Sequence, residues 1–78
     1  MAEIPMGGDG TITSICATPG DRVFEETTLV KYKIEGAGEV QVTPGVQGVV
    51  KEITVSEGRQ YTAEEVVAVI DVKTFVPD

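Results

Sequence analysis

With 78 residues the chain has room for one domain, and a domain of that size buries only about 60% of its unfolded surface, which argues against a second domain or a large substrate cavity. Hydrophobic residues make up 41% of the chain and aromatic residues 5%, with no Trp and nine Gly, so the core must come from Val, Ile, Leu and Ala, a composition that favours strands. Thirteen acidic against six basic residues give a net charge of -7, which repels phosphate backbones and anionic lipid headgroups and speaks against nucleic acid and membrane as partners.

The single cysteine, Cys16, has no intrachain disulfide partner, and there is no His. The Ser-His and Cys-His nucleophile arrangements and the common zinc sites therefore lack their residues, so no metal and no autonomous enzyme activity are expected. Met1 to Gly10 carries no basic start and no apolar run, and no stretch reaches the roughly 20 apolar residues of a membrane span. A cytoplasmic protein in a reducing compartment is expected.

Along the chain, Gly7-Gly8-Asp9-Gly10 is a turn, followed by an apolar-containing run from Thr11 to Ala17 and a second turn at Pro19-Gly20-Asp21. Thr28 to Ile34 alternates Val30, Tyr32 and Ile34 with Lys31 and Lys33, which is strand periodicity. Glu35 to Glu39 forms the next turn, and Val40 and Val42 then alternate with Glu39, Gln41 and Thr43. After a turn at Pro44-Gly45, Ile53 and Val55 alternate with Glu52 and Thr54, and Gly58 turns the chain again. Thr62-Ala63-Glu64-Glu65 has the form of a capping box, which makes a helix from Val66 conceivable. The β-branched content of Val66 to Val72 selects a strand instead. Val76-Pro77-Asp78 is expected to end the ordered part or to lead into something larger.

A shift of 38 residues lays Gly10 on Gly48, Ile12 on Val50, Ile15 on Ile53, Gly20 on Gly58, Leu29 on Val67 and Tyr32 on Ile70, so the chain repeats itself with apolar character and glycine preserved. Each half reads as a strand, a turn at Gly20 or Gly58, a short extended piece and a second strand. The expected fold is all-β: a single domain over residues 1–78, with a core of about 4–72, built as a flattened eight-stranded barrel or sandwich of two pseudo-twofold halves.

These residues carry a resemblance. Gly48-Val49-Val50-Lys51-Glu52-Ile53-Thr54-Val55-Ser56-Glu57-Gly58 resembles the second-half signature of biotinyl and lipoyl carrier domains. The preceding stretch from Val40 to Gly48 is similar to the lipoyl pattern of alternating valines and a proline-containing turn, and Gly20-Asp21-Arg22-Val23 resembles the family's Gly-Asp-Lys-Val turn. The likeness runs from about Ile4 to Val72. It implies a barrel-sandwich hybrid whose halves are joined by a hairpin bearing a lysine that receives biotin or lipoate, with the chemistry left to the cofactor and to partner enzymes of a multienzyme complex. Here the lysine is absent. Counting back from Gly48 puts its position at Ala37, counting forward from Leu29 puts it at Gly36, and neither side chain forms the amide that holds the cofactor. No cofactor is expected on this chain.

Against that background Glu35, Gly36, Ala37, Gly38 and Glu39 read most plainly as a tight turn, and functionally as a docking hairpin that has lost its arm, whether naturally or by deliberate replacement of Lys by Ala37. Asp9 lies in a loop that in lipoyl domains sits beside the modified hairpin and aids recognition by partner enzymes, so Asp9, Glu35 and Glu39 are candidates for one acidic patch. Lys31 and Lys33 read as a solvated strand face. Glu25-Glu26 and Glu64-Glu65 read as solvated surface because neighbours on an extended chain point to opposite faces. Cys16 reads as a small buried apolar residue, and Tyr32 and Tyr61 as core or rim residues with hydroxyls reaching water or backbone. Three functions follow: a cofactor-free interaction or assembly module; a swinging-arm carrier for acyl or carboxyl transfer whose lysine was replaced; and, least favoured because no helical hairpin separates the halves, a module like those of transport adaptor proteins.

Overall fold

The computed structural model describes residues 1–74, which leaves the expectation about Val76 to Asp78 outside the described part. Eight strands follow one another: β1 (Ala2–Pro5), β2 (Gly10–Ile15), β3 (Arg22–Val23), β4 (Val30–Ile34), β5 (Gly38–Val42), β6 (Gly48–Ile53), β7 (Gln60–Tyr61) and β8 (Val66–Val72). They form two four-stranded antiparallel sheets, ordered β1-β8-β6-β3 and β5-β4-β2-β7. The protein is thus all-β, with two open sheets rather than a closed barrel, and no helix among the described residues.

Exchanging β1 with β5, β2 with β6, β3 with β7 and β4 with β8 turns one strand order into the other. The 38-residue repeat holds down to single bonds. β2 and β6 each carry a register shift at equivalent places, between Ile12 and Ser14 and between Val50 and Glu52. Gly58 N–H donates to Ile12 O at 2.8 Å, as Gly20 N–H does to Val50 O at 2.8 Å. The two turn glycines, Gly20 and Gly58, have φ of +97° and +82°, the left-handed conformation that side chains resist. The Gly20 turn therefore lies against β6 and the Gly58 turn against β2, so that neither half completes its own hydrogen bonding.

The inward positions of both sheets meet in one cluster that includes Ile12, Val23, Leu29, Val30, Tyr32, Val50, Val67 and Ile70. No polar side chain is buried among the described residues, so apolar packing and backbone ladders hold the layers together. The segment from Val66 is a strand, as the β-branched run indicates, and pairs on both edges, with β1 and with β6. The alternation around Ile53 and Val55 is only partly strand: β6 ends at Ile53, and Val55 is buried from the loop that follows.

Cys16 corrects the sequence reading, because it is exposed. β2 ends at Ile15, and both Cys16 and Ala17 donate their N–H groups to Leu29 O, at 2.8 Å and 3.2 Å. The kink lets the smaller Ala17 take the inward place and turns the thiol to solvent.

Candidate functional site

The hairpin that joins the halves is built by unbroken pairing of β4 with β5, from Val30 opposite Val42 to Ile34 opposite Gly38. Ala37 N–H donates to Ile34 O at 3.0 Å, closing a four-residue turn with Gly36 at its third position and φ of +82°. Gly38 follows at φ +98° and returns the chain to the strand. Glu35, Gly36, Ala37 and Gly38 are all exposed, so the tip presents only the Ala37 methyl group and the Glu35 side chain.

The loop before β2 lies against the base of this hairpin. Gly7 N–H donates to Ala63 O at 3.0 Å, and the Asp9 carboxylate accepts from Ala63 N–H at 2.7 Å. Two glycines permit the close approach. A Cβ on Gly8 would stand 2.6 Å from the Tyr32 hydroxyl oxygen, and one on Gly10 would stand 2.5 Å from Lys33 O. The buried ring of Tyr32 thus forms a floor under the loop.

Between loop and hairpin runs an open cleft of about 460 Å³ lined by Asp9, Gly10, Thr11, Lys33, Ile34, Glu35 and Gln60. Asp9 and Glu35 both line it. Glu39 does not join them: its carboxylate accepts a hydrogen bond from the Thr13 hydroxyl at 2.9 Å, and its position is opposite Lys33 on the outer face of the sheet. Lys33 is also a lining residue, so two acidic residues and one basic residue surround the cleft. Two acidic residues against one basic residue make the lining favour a polar or cationic group over an anion. No three His, Cys, Asp or Glu side chains among the described residues are placed to share a metal ion.

Gly10, Thr11, Lys33, Ile34 and Gln60 line the cleft beyond the site residues read from the sequence. Lys33 has the period-two signal of a solvated face, and Gln60 comes from a two-residue strand recognisable only through its pairing with Gly10 and Thr11. Lys31 is half-buried on the same outer face and lies outside the cleft. Glu25, Glu26, Glu64 and Glu65 are exposed. Tyr61 is half-buried, with its hydroxyl accepting from Ser56 N–H at 3.0 Å.

No family model matches the chain, and no curated protein matches it.

Proposed function

We propose that this protein is a biotinyl/lipoyl-like domain without the acceptor lysine, which acts as a non-catalytic interaction or assembly module of a multienzyme complex in the cytoplasm. The observation that carries this reading is the joining hairpin. It links two halves with exchangeable strand order, stands exposed beside the Asp9 loop, and ends in Gly36-Ala37-Gly38. A carrier of this architecture needs a primary amine at the tip, whereas a docking module needs only the surface around it. Partners would engage the cleft end through Asp9 and Glu35, with Glu39 on the flank, and an acidic end meeting a basic surface gives an affinity that falls with added salt.

The test is the intact mass of the protein after expression with lipoate and biotin ligases and both cofactors supplied. The bare mass is expected; one cofactor's mass on Lys31 or Lys33 overturns the proposal. Enzymes captured on the immobilised domain should be lost on Glu35→Lys and retained on Ser56→Lys, and equal capture by both variants removes the docking surface from the argument.

The exposure of Ala37 at a well-formed tip favours one alternative, a swinging-arm carrier of lipoate or biotin whose lysine Ala37 has replaced. That reading requires Ala37→Lys to become a ligase substrate while remaining folded. Failure of both ligases to modify the folded variant rules it out.

A further inference from the structure

Among the described residues each sheet leaves two edges open, and a strand edge with unpaired N–H and C=O groups recruits another strand unless something blunts it. Three of the four edges are blunted. β1 contains Pro5, and its register with β8 shifts between Ile4 and Pro5. β3 and β7 are two residues long. β5 has none of these devices: five residues, no proline, no lysine, and unbroken register with β4. Its two outward side chains are drawn back over their own sheet, Glu39 onto the Thr13 hydroxyl at 2.9 Å and Gln41 onto the Thr28 hydroxyl at 3.0 Å. Neither covers the free edge.

We propose that β5 pairs antiparallel with β5 of a second copy of this chain, joining two β5-β4-β2-β7 sheets into one continuous eight-stranded sheet. Strand length and charge together fit this occupant and its register, since an axis through Val40 overlaps all five residues of β5. A twofold axis through Val40 sets Glu39 opposite the partner's Gln41, and Gln41 opposite the partner's Glu39. With Lys33 already opposite Glu39 and Lys31 opposite Gln41 on β4, the outer face then reads Lys33, Glu39, the partner's Gln41, the partner's Lys31. The next row is its mirror. No two carboxylates adjoin, and each Glu39 keeps its own lysine neighbour. An axis through Glu39 would instead face carboxylate with carboxylate. The contact is isologous and closes at two copies. As an edge-only interface it is small, so the association is weak and concentration-dependent. The net charge of -7 on each chain opposes it from a distance, so added salt should strengthen it.

The experiment is sedimentation equilibrium of the intact chain up to about 1 mM, in low salt and in about 0.5 M NaCl, with amide hydrogen exchange on the same samples. A monomer–dimer equilibrium that tightens with salt and slows exchange in β5 is expected. Gln41→Glu sets one new carboxylate against Glu39 of each partner and should weaken the dimer about fivefold in low salt, while Gln41→Lys should tighten it by a similar factor. Ser56→Glu adds the same charge as Gln41→Glu at a remote turn and should stay within about twofold of the parent. A chain that is monomeric at the highest concentration in high salt overturns the proposal. So does a dimer in which Gln41→Glu and Ser56→Glu act alike, or one that protects β1 instead of β5.

Discussion

The two glycines that open β2 and β6 give the strongest test of how the halves fit together. Gly10 and Gly48 are 38 residues apart and buried, Gly10 against β4 and Gly48 against β8. A Cβ on Gly10 would stand 2.5 Å from Lys33 O and 2.6 Å from Tyr32 Cδ2. A Cβ on Gly48 would press on Asp71 O and on Ile70 Cγ2, which are the same two places in the repeat. Real Cβ atoms essentially never come within 3.0 Å of such neighbours, so Gly10→Ala requires the backbone of β4 to retreat by about 0.5 Å. A ladder strand cannot do so without stretching its hydrogen bonds, and overpacking of this kind costs about 1–3 kcal/mol. The reduced freedom of the unfolded chain returns about 0.4–1 kcal/mol. The net loss is about 1–2 kcal/mol for Gly10→Ala and the same for Gly48→Ala, each lowering Tm by roughly 5–15 °C in a domain this small. Urea unfolding followed by far-UV circular dichroism gives both values. If either variant matches the parent within about 0.5 kcal/mol, or if the two differ by more than about 1 kcal/mol, the close approach of the strands and its repetition in both halves are refuted.

Other outcomes follow from the same packing. Leu29→Ala removes a fully buried side chain from the cluster shared by the sheets and should cost about 2–5 kcal/mol in denaturant unfolding; a loss below about 1 kcal/mol would mean the site is not enclosed. Cys16 is exposed, so a thiol-reactive chromophore should label it in the native protein about as fast as a small free thiol, and labelling that waits for denaturant would restore the buried reading. Tyr61→Phe leaves Ser56 N–H without its phenolic acceptor and should cost about 0.5–1.5 kcal/mol, measured by thermal unfolding, with no change expected at the hairpin cleft.

Much of this architecture is legible in the one-dimensional pattern. The 38-residue repeat predicts that β2 and β6 are equivalent, and their register shifts fall at equivalent residues. Alternation in Val30 to Ile34 and the β-branched run from Val66 predict β4 and β8, because a pleated strand imposes its period of two on whichever side chains must be buried. The turns at Gly20, Gly36 and Gly58 announce themselves because few residues other than glycine hold positive φ.

What only tertiary structure decides is how distant segments share space. The sorting of strands into β1-β8-β6-β3 and β5-β4-β2-β7 follows from each half lending its turn to the other, and no local window contains both partners. The same reason moves Lys33 into the cleft with Asp9 and Glu35, and draws Glu39 away to Thr13. It also turns Cys16 outward while Ala17 takes the inner place beside Leu29 O. Hydrophobic period fixes which face of a strand is buried, whereas the neighbours across that face are set by pairings between distant segments, such as Ala2 with Ile70 and Gly10 with Tyr61.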